Sequence, residues 1–113
     1  MENKSAAAAL SALAHEGRLA VFRLLVQGGP DGMAAGDIAR TVGCPANTLS
    51  ANLNLLSHAS LVRSRREGRS IIYTADYGRM AELLGFLMQD CCGGAPEVCG
   101  PVAEIAARAA CCA

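Results

Sequence analysis

The sequence predicts a small, mainly α-helical domain that carries one β-hairpin, and three observations lead to this prediction. Hydrophobic residues make up 52% of the chain and aromatic residues only 4%, so the core must consist largely of Leu, Ala, Val and Ile. Apolar residues recur at helical spacing through most of the chain. Two β-prone runs flank Glu67-Gly68-Arg69, as in a hairpin. With 113 residues, the chain has the length of one domain.

Four helices are predicted before the hairpin. An Ala-rich start predicts a first helix that ends near Ala14, and a second helix is expected from Glu16 to Gln27. The third helix is expected from Ala34 to Val42, and Gly43 ends it. The fourth begins with Pro45 in its first turn. Helices three and four, joined by a short turn, predict a helix-turn-helix.

The fourth helix combines an apolar face with an uncharged polar one. Its apolar residues are Leu49, Leu53 and Leu56. The polar residues, which we expect on the opposite side, are Asn47, Thr48, Ser50, Asn52 and Asn54. Compact hydrogen-bonding side chains without formal charge suit base edges and phosphates, whereas an ordinary solvated face more often carries Glu and Lys. These five residues are therefore candidate DNA contacts, with an ordinary polar surface as the alternative.

The hairpin and its surroundings are basic. The segment from Asp37 to Tyr73, both included, contains five arginines but only two acidic residues, although the net charge of the whole chain is zero. This distribution indicates a polyanionic partner for the middle of the chain. We expect Arg65, Arg66 and Arg69 at the hairpin tip to contact phosphates or to lie along a minor groove. A charge-protected edge strand is the alternative.

A last helix is predicted from Tyr77 to Asp90, with an apolar surface broad enough to require a partner. We therefore expect a homodimer. The predicted organisation is a DNA-binding and dimerisation domain over residues 1–90, followed by a cysteine-rich sensing segment and tail over 91–113. No run of 18 apolar residues is present, so no membrane contact is expected.

The chain contains six cysteines, five of them near its end. They are Cys44, Cys91, Cys92, Cys99, Cys111 and Cys112. No convincing signal peptide precedes the periodic core, which favours a reduced, cytoplasmic protein whose thiols are ligands or sensors. We interpret Cys44 as a small buried residue, with a role as a remote ligand as the alternative. No nucleophile with a base, phosphate loop or carboxylate pair indicates an enzyme.

The order of these elements resembles the ArsR/SmtB family of bacterial metal-responsive repressors. The resemblance covers about Leu10 to Asp90 and rests on the segment Leu13 to Leu25, on Asn47-Thr48-Leu49-Ser50, and on Arg66-Glu67-Gly68-Arg69. It implies a winged helix-turn-helix homodimer on an inverted-repeat operator. Two sensing sites of the family are missing from the sequence, namely a Cys-x-Cys-type motif at the third helix and Asp/His ligands on the last helix.

The resemblance leaves the sensing role to Cys91, Cys92 and Cys99, placed as in arsenic repressors whose thiols follow the last helix. Three local thiolates suit trivalent arsenic better than zinc, which prefers four ligands in structural sites. We therefore expect arsenite to be the inducer, with antimonite and methylated arsenic as alternatives. Cys111 and Cys112 form either a second soft-ion site or a tail that passes the ion inward. Other readings are a redox-responsive regulator and a thiol-rich metal buffer that never binds DNA.

Overall fold

The computed structural model describes residues 1–89 together with Pro101, Glu104 and Ile105. It contains five helices and three strands within these residues, and their order confirms the predicted winged helix-turn-helix. The elements are α1 (Asn3–Leu13), α2 (Glu16–Gly28), β1 (Met33–Ala34), α3 (Ala35–Val42), α4 (Ala46–His58), β2 (Val62–Glu67), β3 (Ser70–Ala75) and α5 (Tyr77–Met88).

Helix α2 contacts α1, α3, α4 and β3, and it supplies part of the core between them. Leu25 on α2, Ile38 on α3, Leu53 and Leu56 on α4, and Leu61 after it are almost completely inaccessible to solvent. Each such side chain contributes roughly 1.5–3 kcal/mol by leaving water. These aliphatic residues carry the core, as the scarcity of aromatic residues predicts.

The start of α2 is fixed by a histidine. His15 lies directly before the helix, and its Nδ1 accepts hydrogen bonds from the backbone amides of Gly17 (3.1 Å) and Arg18 (3.3 Å). The Arg18 side chain reaches back and donates from Nε to the carbonyl oxygen of Ala12 (2.6 Å), near the end of α1. The junction between the two helices is therefore held by side chains that satisfy groups that helix ends leave unpaired.

The described sheet has the antiparallel order β1-β3-β2. Strands β2 and β3 form the predicted hairpin, in which Glu67 pairs with Ser70 and Gly68 adopts a φ of 61° in the turn. The sequence did not predict β1, which has only two residues: Met33 opposite Tyr73, and Ala34 opposite Ile72. A two-residue strand is too short to show alternation in the sequence, so only its pairing with β3 in the folded chain identifies it as a strand.

Several helix boundaries differ from the prediction by one or two residues: α2 ends at Gly28 and not at Gln27, and α3 begins at Ala35 and not at Ala34. Pro45 lies at the N-cap position, one residue before α4, and not within its first turn. Helix α5 ends at Met88, and the expected final residue, Asp90, lies outside the described residues. The chain divides into two units, Met1–Leu83 and Leu84–Ala113. The predicted boundary after residue 90 stays a prediction.

No helix among the described residues combines the length and the apolar composition that a membrane span requires.

Candidate nucleic-acid interface

Helix α4 presents an exposed, uncharged polar surface. Its buried residues include Leu49, Leu53 and Leu56, as predicted from their spacing. Among the predicted DNA contacts, the exposed ones are Asn47, Thr48, Ser50 and Asn54. The helix contains no acidic residue, so no carboxylate on it repels a phosphate, and its first turn leaves the partial positive charge of the N-terminus unneutralised.

The predicted position of Asn52 is wrong. This residue is only 8% exposed and lies on the same side of α4 as the leucines. The reason is helical geometry: Asn52 follows Leu49 by three residues and precedes Leu56 by four, which places all three on one face. A Cβ added to Gly17 of α2 would lie 3.3 Å from Asn52 Nδ2, so the amide packs closely against the start of α2. We therefore remove Asn52 from the candidate DNA contacts.

The turn before α4 fixes where the helix begins. Gly43 adopts the left-handed conformation (φ 71°), and its backbone N–H donates to the carbonyl oxygen of Ala39 (2.9 Å). Cys44, which follows, is half-buried and free. At the beginning of α4, the side-chain Oδ1 of Asn47 accepts from the backbone N–H of Thr48 (2.9 Å).

Strand β2 directs its arginines to two different sides. Arg63 and Arg65 point to one face, where protein groups bind them. Arg63 Nε donates to Asp76 Oδ2 (3.0 Å). Arg65 donates from Nε to Glu67 Oε1 (2.9 Å) and from its terminal nitrogen to the carbonyl oxygen of Asp31 (2.7 Å). Arg65, expected to contact DNA, thus already links the hairpin to the loop before β1.

The other two predicted arginines have a different environment. Arg66, which alternates with Arg65 along the strand, and Arg69, at the tip, are both exposed. Neither makes a side-chain hydrogen bond or an ion pair with any residue in the part of the chain that the structure describes. Their guanidinium groups are therefore available to an external anion.

Sequence comparison matches residues 13–65 to a family of helix-turn-helix domains. The nodulation protein NolR of Rhizobium meliloti is 35% identical over 82 residues, which cover 73% of this chain and 65% of that protein. The matched part thus spans slightly less than two thirds of this relative.

Solved structures extend the similarity to the whole winged domain. The crystal structure of NolR from Sinorhizobium fredii is 34% identical, with a TM-score of 0.62, and the match covers 81% of this chain and 88% of that one. The homodimeric winged helix-turn-helix DNA-binding domain of Mb0332 from Mycobacterium bovis, a possible ArsR-family transcriptional regulator, is 33% identical, with a TM-score of 0.61. There the match covers 77% of this chain and 81% of that one.

The chain belongs to the ArsR family. Its relatives are helix-turn-helix transcriptional regulators. This agrees with the expectation that the chain is not an enzyme. The winged architecture identifies α4 as the helix in the recognition position and the β2–β3 hairpin as the wing.

The expected thiol ligands of this ArsR-family chain lie outside the described residues. They are Cys91, Cys92 and Cys99, with Cys111 and Cys112 as additional candidates. Among residues 1–89 and the three described positions beyond them, no three His, Cys, Asp or Glu side chains come together as a metal site would require. The thiol site therefore stays a prediction.

Sequence reasoning missed the role of Asp76. This residue lies directly before α5, and its Oδ1 accepts from the backbone N–H of Arg79 (3.0 Å). That amide and, secondarily, the Arg63 guanidinium lower the pKa of Asp76 below its ordinary value, against the opposing effect of burial. An Asp before an apolar helical run is a recognised N-cap signal, so the sequence did contain this information.

Proposed function

We propose that this ArsR-family chain is a homodimeric transcriptional repressor that binds an inverted-repeat operator and is released by trivalent arsenic. The exposed face of α4 carries the DNA-binding part of the proposal. Asn47, Thr48, Ser50 and Asn54 supply donors and acceptors without negative charge, which suits a major groove. Arg66 and Arg69 supply cations for the phosphate backbone.

The geometry of a homodimer would suit binding to an inverted repeat. Two copies of α4, about 34 Å apart, would enter successive major grooves on one side of the DNA. Leu84 and Leu87 on α5 are each 50% exposed, so this helix presents apolar surface that a partner subunit would remove from water. The homodimeric Mb0332 domain gives a precedent within the family.

The sensing part of the proposal rests on the chemistry of the thiols. Cys91, Cys92 and Cys99 supply three thiolates within nine positions of the sequence. Soft thiolates favour soft ions, and trivalent arsenic takes three of them. Arsenite, As(OH)3, exchanges its three hydroxides for the three thiols, and each thiol proton leaves with one hydroxide as water, so the site needs no cation nearby to form thiolates. A typical allosteric coupling of about 1–3 kcal/mol would lower DNA affinity about 5- to 150-fold.

A DNA-binding titration tests the proposal. The full chain is titrated onto labelled DNA from upstream of its own gene, with and without arsenite, at fixed salt. We expect binding without arsenite and release with it. Replacing Cys91, Cys92 or Cys99 by Ser should preserve DNA binding and abolish release. Cys44→Ser is the matched control, since Cys44 lies among the described residues and outside the proposed thiol set.

The same titration separates the alternatives. A chain that binds arsenite but no DNA would be a thiol-rich metal buffer. Release by peroxide but not by arsenite would indicate a redox-responsive regulator. If Cys111→Ser or Cys112→Ser also abolished release, the tail would belong to the sensing site. A release that persists in all three Ser variants would refute the three-thiol assignment.

A further inference from the structure

Helix α5 follows strand β3 with one residue between them. Strand β3 ends at Ala75, α5 begins at Tyr77, and Asp76 is the connection. Asp76 also starts the helix, because its carboxylate accepts from the amide of Arg79 (3.0 Å) and its carbonyl oxygen accepts from the amide of Met80 (3.0 Å). Since no flexible loop separates strand from helix, a rotation of α5 acts directly on Asp76.

The backbone of Asp76 is joined to the end of the recognition helix. Its N–H donates to the carbonyl oxygen of Leu61 (2.8 Å), and the N–H of Leu61 donates to the carbonyl oxygen of Leu56 in α4 (3.0 Å). Leu56 and Leu61 are both fully buried. A continuous series of hydrogen bonds therefore connects the first turn of α5 with the last turns of α4.

The side chain of Asp76 adds a connection to the wing. Its Oδ2 accepts from Arg63 Nε (3.0 Å), and Arg63 is the second residue of β2. The carboxylate is the fixed partner, since the Asp76 side chain is 18% exposed and that of Arg63 is 76% exposed. The pKa of Asp76 lies below its ordinary value, so both partners of this ion pair are charged at neutral pH.

We infer that Asp76 is a positioning residue for the wing. It holds Arg63, and with it the base of β2, against the first turn of α5, so that the position of α5 determines where Arg66 and Arg69 meet the DNA backbone. This inference rests on the proposed DNA binding, and it deepens that proposal by naming the route from the dimerisation helix to the wing.

The test is a set of four variants of the full chain. Asp76→Asn keeps a good N-cap for α5 and removes the ion pair with Arg63. Arg63→Gln removes the same pair from the wing side, and the double variant removes both partners. The matched control is Glu82→Gln, which neutralises another carboxylate of α5, one whose ion-pair partner, Arg79, lies on the same helix. DNA affinity, its salt dependence and the urea unfolding midpoint are measured for each.

We expect Asp76→Asn to bind the operator roughly two- to tenfold more weakly than Glu82→Gln, within the range of pairwise couplings. Its salt dependence should also be shallower, because Arg66 and Arg69 no longer meet the phosphates together. The double variant should bind no more weakly than Arg63→Gln. The unfolding midpoint of Asp76→Asn should lie somewhat below that of Glu82→Gln, because the Asp76 carboxylate also stabilises the fold. The shallower salt dependence is therefore the result that identifies positioning, since a loss of stability alone would not change the number of phosphate contacts.

Equal DNA affinity of Asp76→Asn and Glu82→Gln would overturn the inference, as would additive effects of the two single substitutions. If Asp76→Asn fails to fold, Arg63→Gln carries the test, because it leaves the helix cap intact. In that case, the inference is overturned if Arg63→Gln binds the operator as tightly as the wild type does. If the wild-type chain binds no operator, the proposed function itself is refuted, and with it the role of the wing in DNA binding.

Discussion

Ser60 is the only residue other than glycine with a positive φ (63°) among the described residues, and it directly follows the C-cap of α4. Its N–H donates to the carbonyl oxygen of Ser57 (2.9 Å), and the N–H of Leu61 donates to that of Leu56 (3.0 Å). These two bonds form a Schellman motif, in which glycine is the usual residue at this position. The left-handed conformation costs an L-residue about 1–2 kcal/mol.

Ser60→Gly removes this conformational cost. It also raises the conformational entropy of the unfolded chain, which lowers the free energy of unfolding by about 0.5–1 kcal/mol. The net expectation is stabilisation by about 0.5–1 kcal/mol. Ser57→Gly makes the same chemical change inside α4, where glycine is less favourable than serine by about 0.5 kcal/mol. Both serines are exposed, so packing contributes little to either value. The two variants should therefore differ by about 1–1.5 kcal/mol, with opposite signs.

Urea unfolding at one fixed protein concentration measures both variants against the wild type, because self-association would make the midpoint depend on concentration. Equal m-values would show that the unfolding transition is the same in all three proteins. Destabilisation of Ser60→Gly to the same extent as Ser57→Gly would refute the explanation, since the positive φ would then cost the native state nothing.

Three further predictions concern the wing and its supports. Arg66→Ala and Arg69→Ala should each weaken binding to all DNA sequences and reduce the slope of log affinity against log salt by about 0.9, and an unchanged slope would mean that neither contacts a phosphate. Gly32→Ala should destabilise by more than about 1 kcal/mol in urea unfolding, since φ is +78° and its Cβ would lie 2.6 Å from the Tyr73 carbonyl oxygen. The pKa of Asp76 is lowered in the folded chain, so its carboxylate stabilises the fold above about pH 4, and this stabilisation is lost as the pH falls. The difference in unfolding free energy between the wild type and Asp76→Asn should therefore shrink from pH 7 to pH 3.

The helices and the hairpin could be predicted because their signals are local. Leu49, Leu53 and Leu56 repeat at helical spacing, Gly43 ends α3, and Gly68 forms the turn between β2 and β3. The prediction for Asn52 was wrong because this polar side chain lies on the buried face of α4. Its polar character suggested DNA, whereas its spacing from the leucines placed it on the buried face.

The partners of the wing arginines could not be predicted in the same way. Alternation along β2 separates Arg65 from Arg66, but only the fold brings Arg65 next to the carbonyl of Asp31, 34 residues earlier. Likewise, the Arg63–Asp76 pair spans 13 residues and depends on the register between β2 and β3. Contacts of this kind follow from tertiary packing, so composition alone assigns all four arginines the same role.

The cap on α2 also determines which ring nitrogens of His15 are accessible to a metal. Accepting two amide hydrogens at Nδ1 requires a lone pair there, so a neutral ring must carry its proton on Nε2. A metal would have to break the cap to use Nδ1, or remove a proton from a neutral ring to use Nε2. While α2 keeps this cap, Nδ1 of His15 is occupied by the two amides and does not serve as a metal ligand. The chain has only one other histidine, His58, so a soft ion depends almost entirely on sulfur.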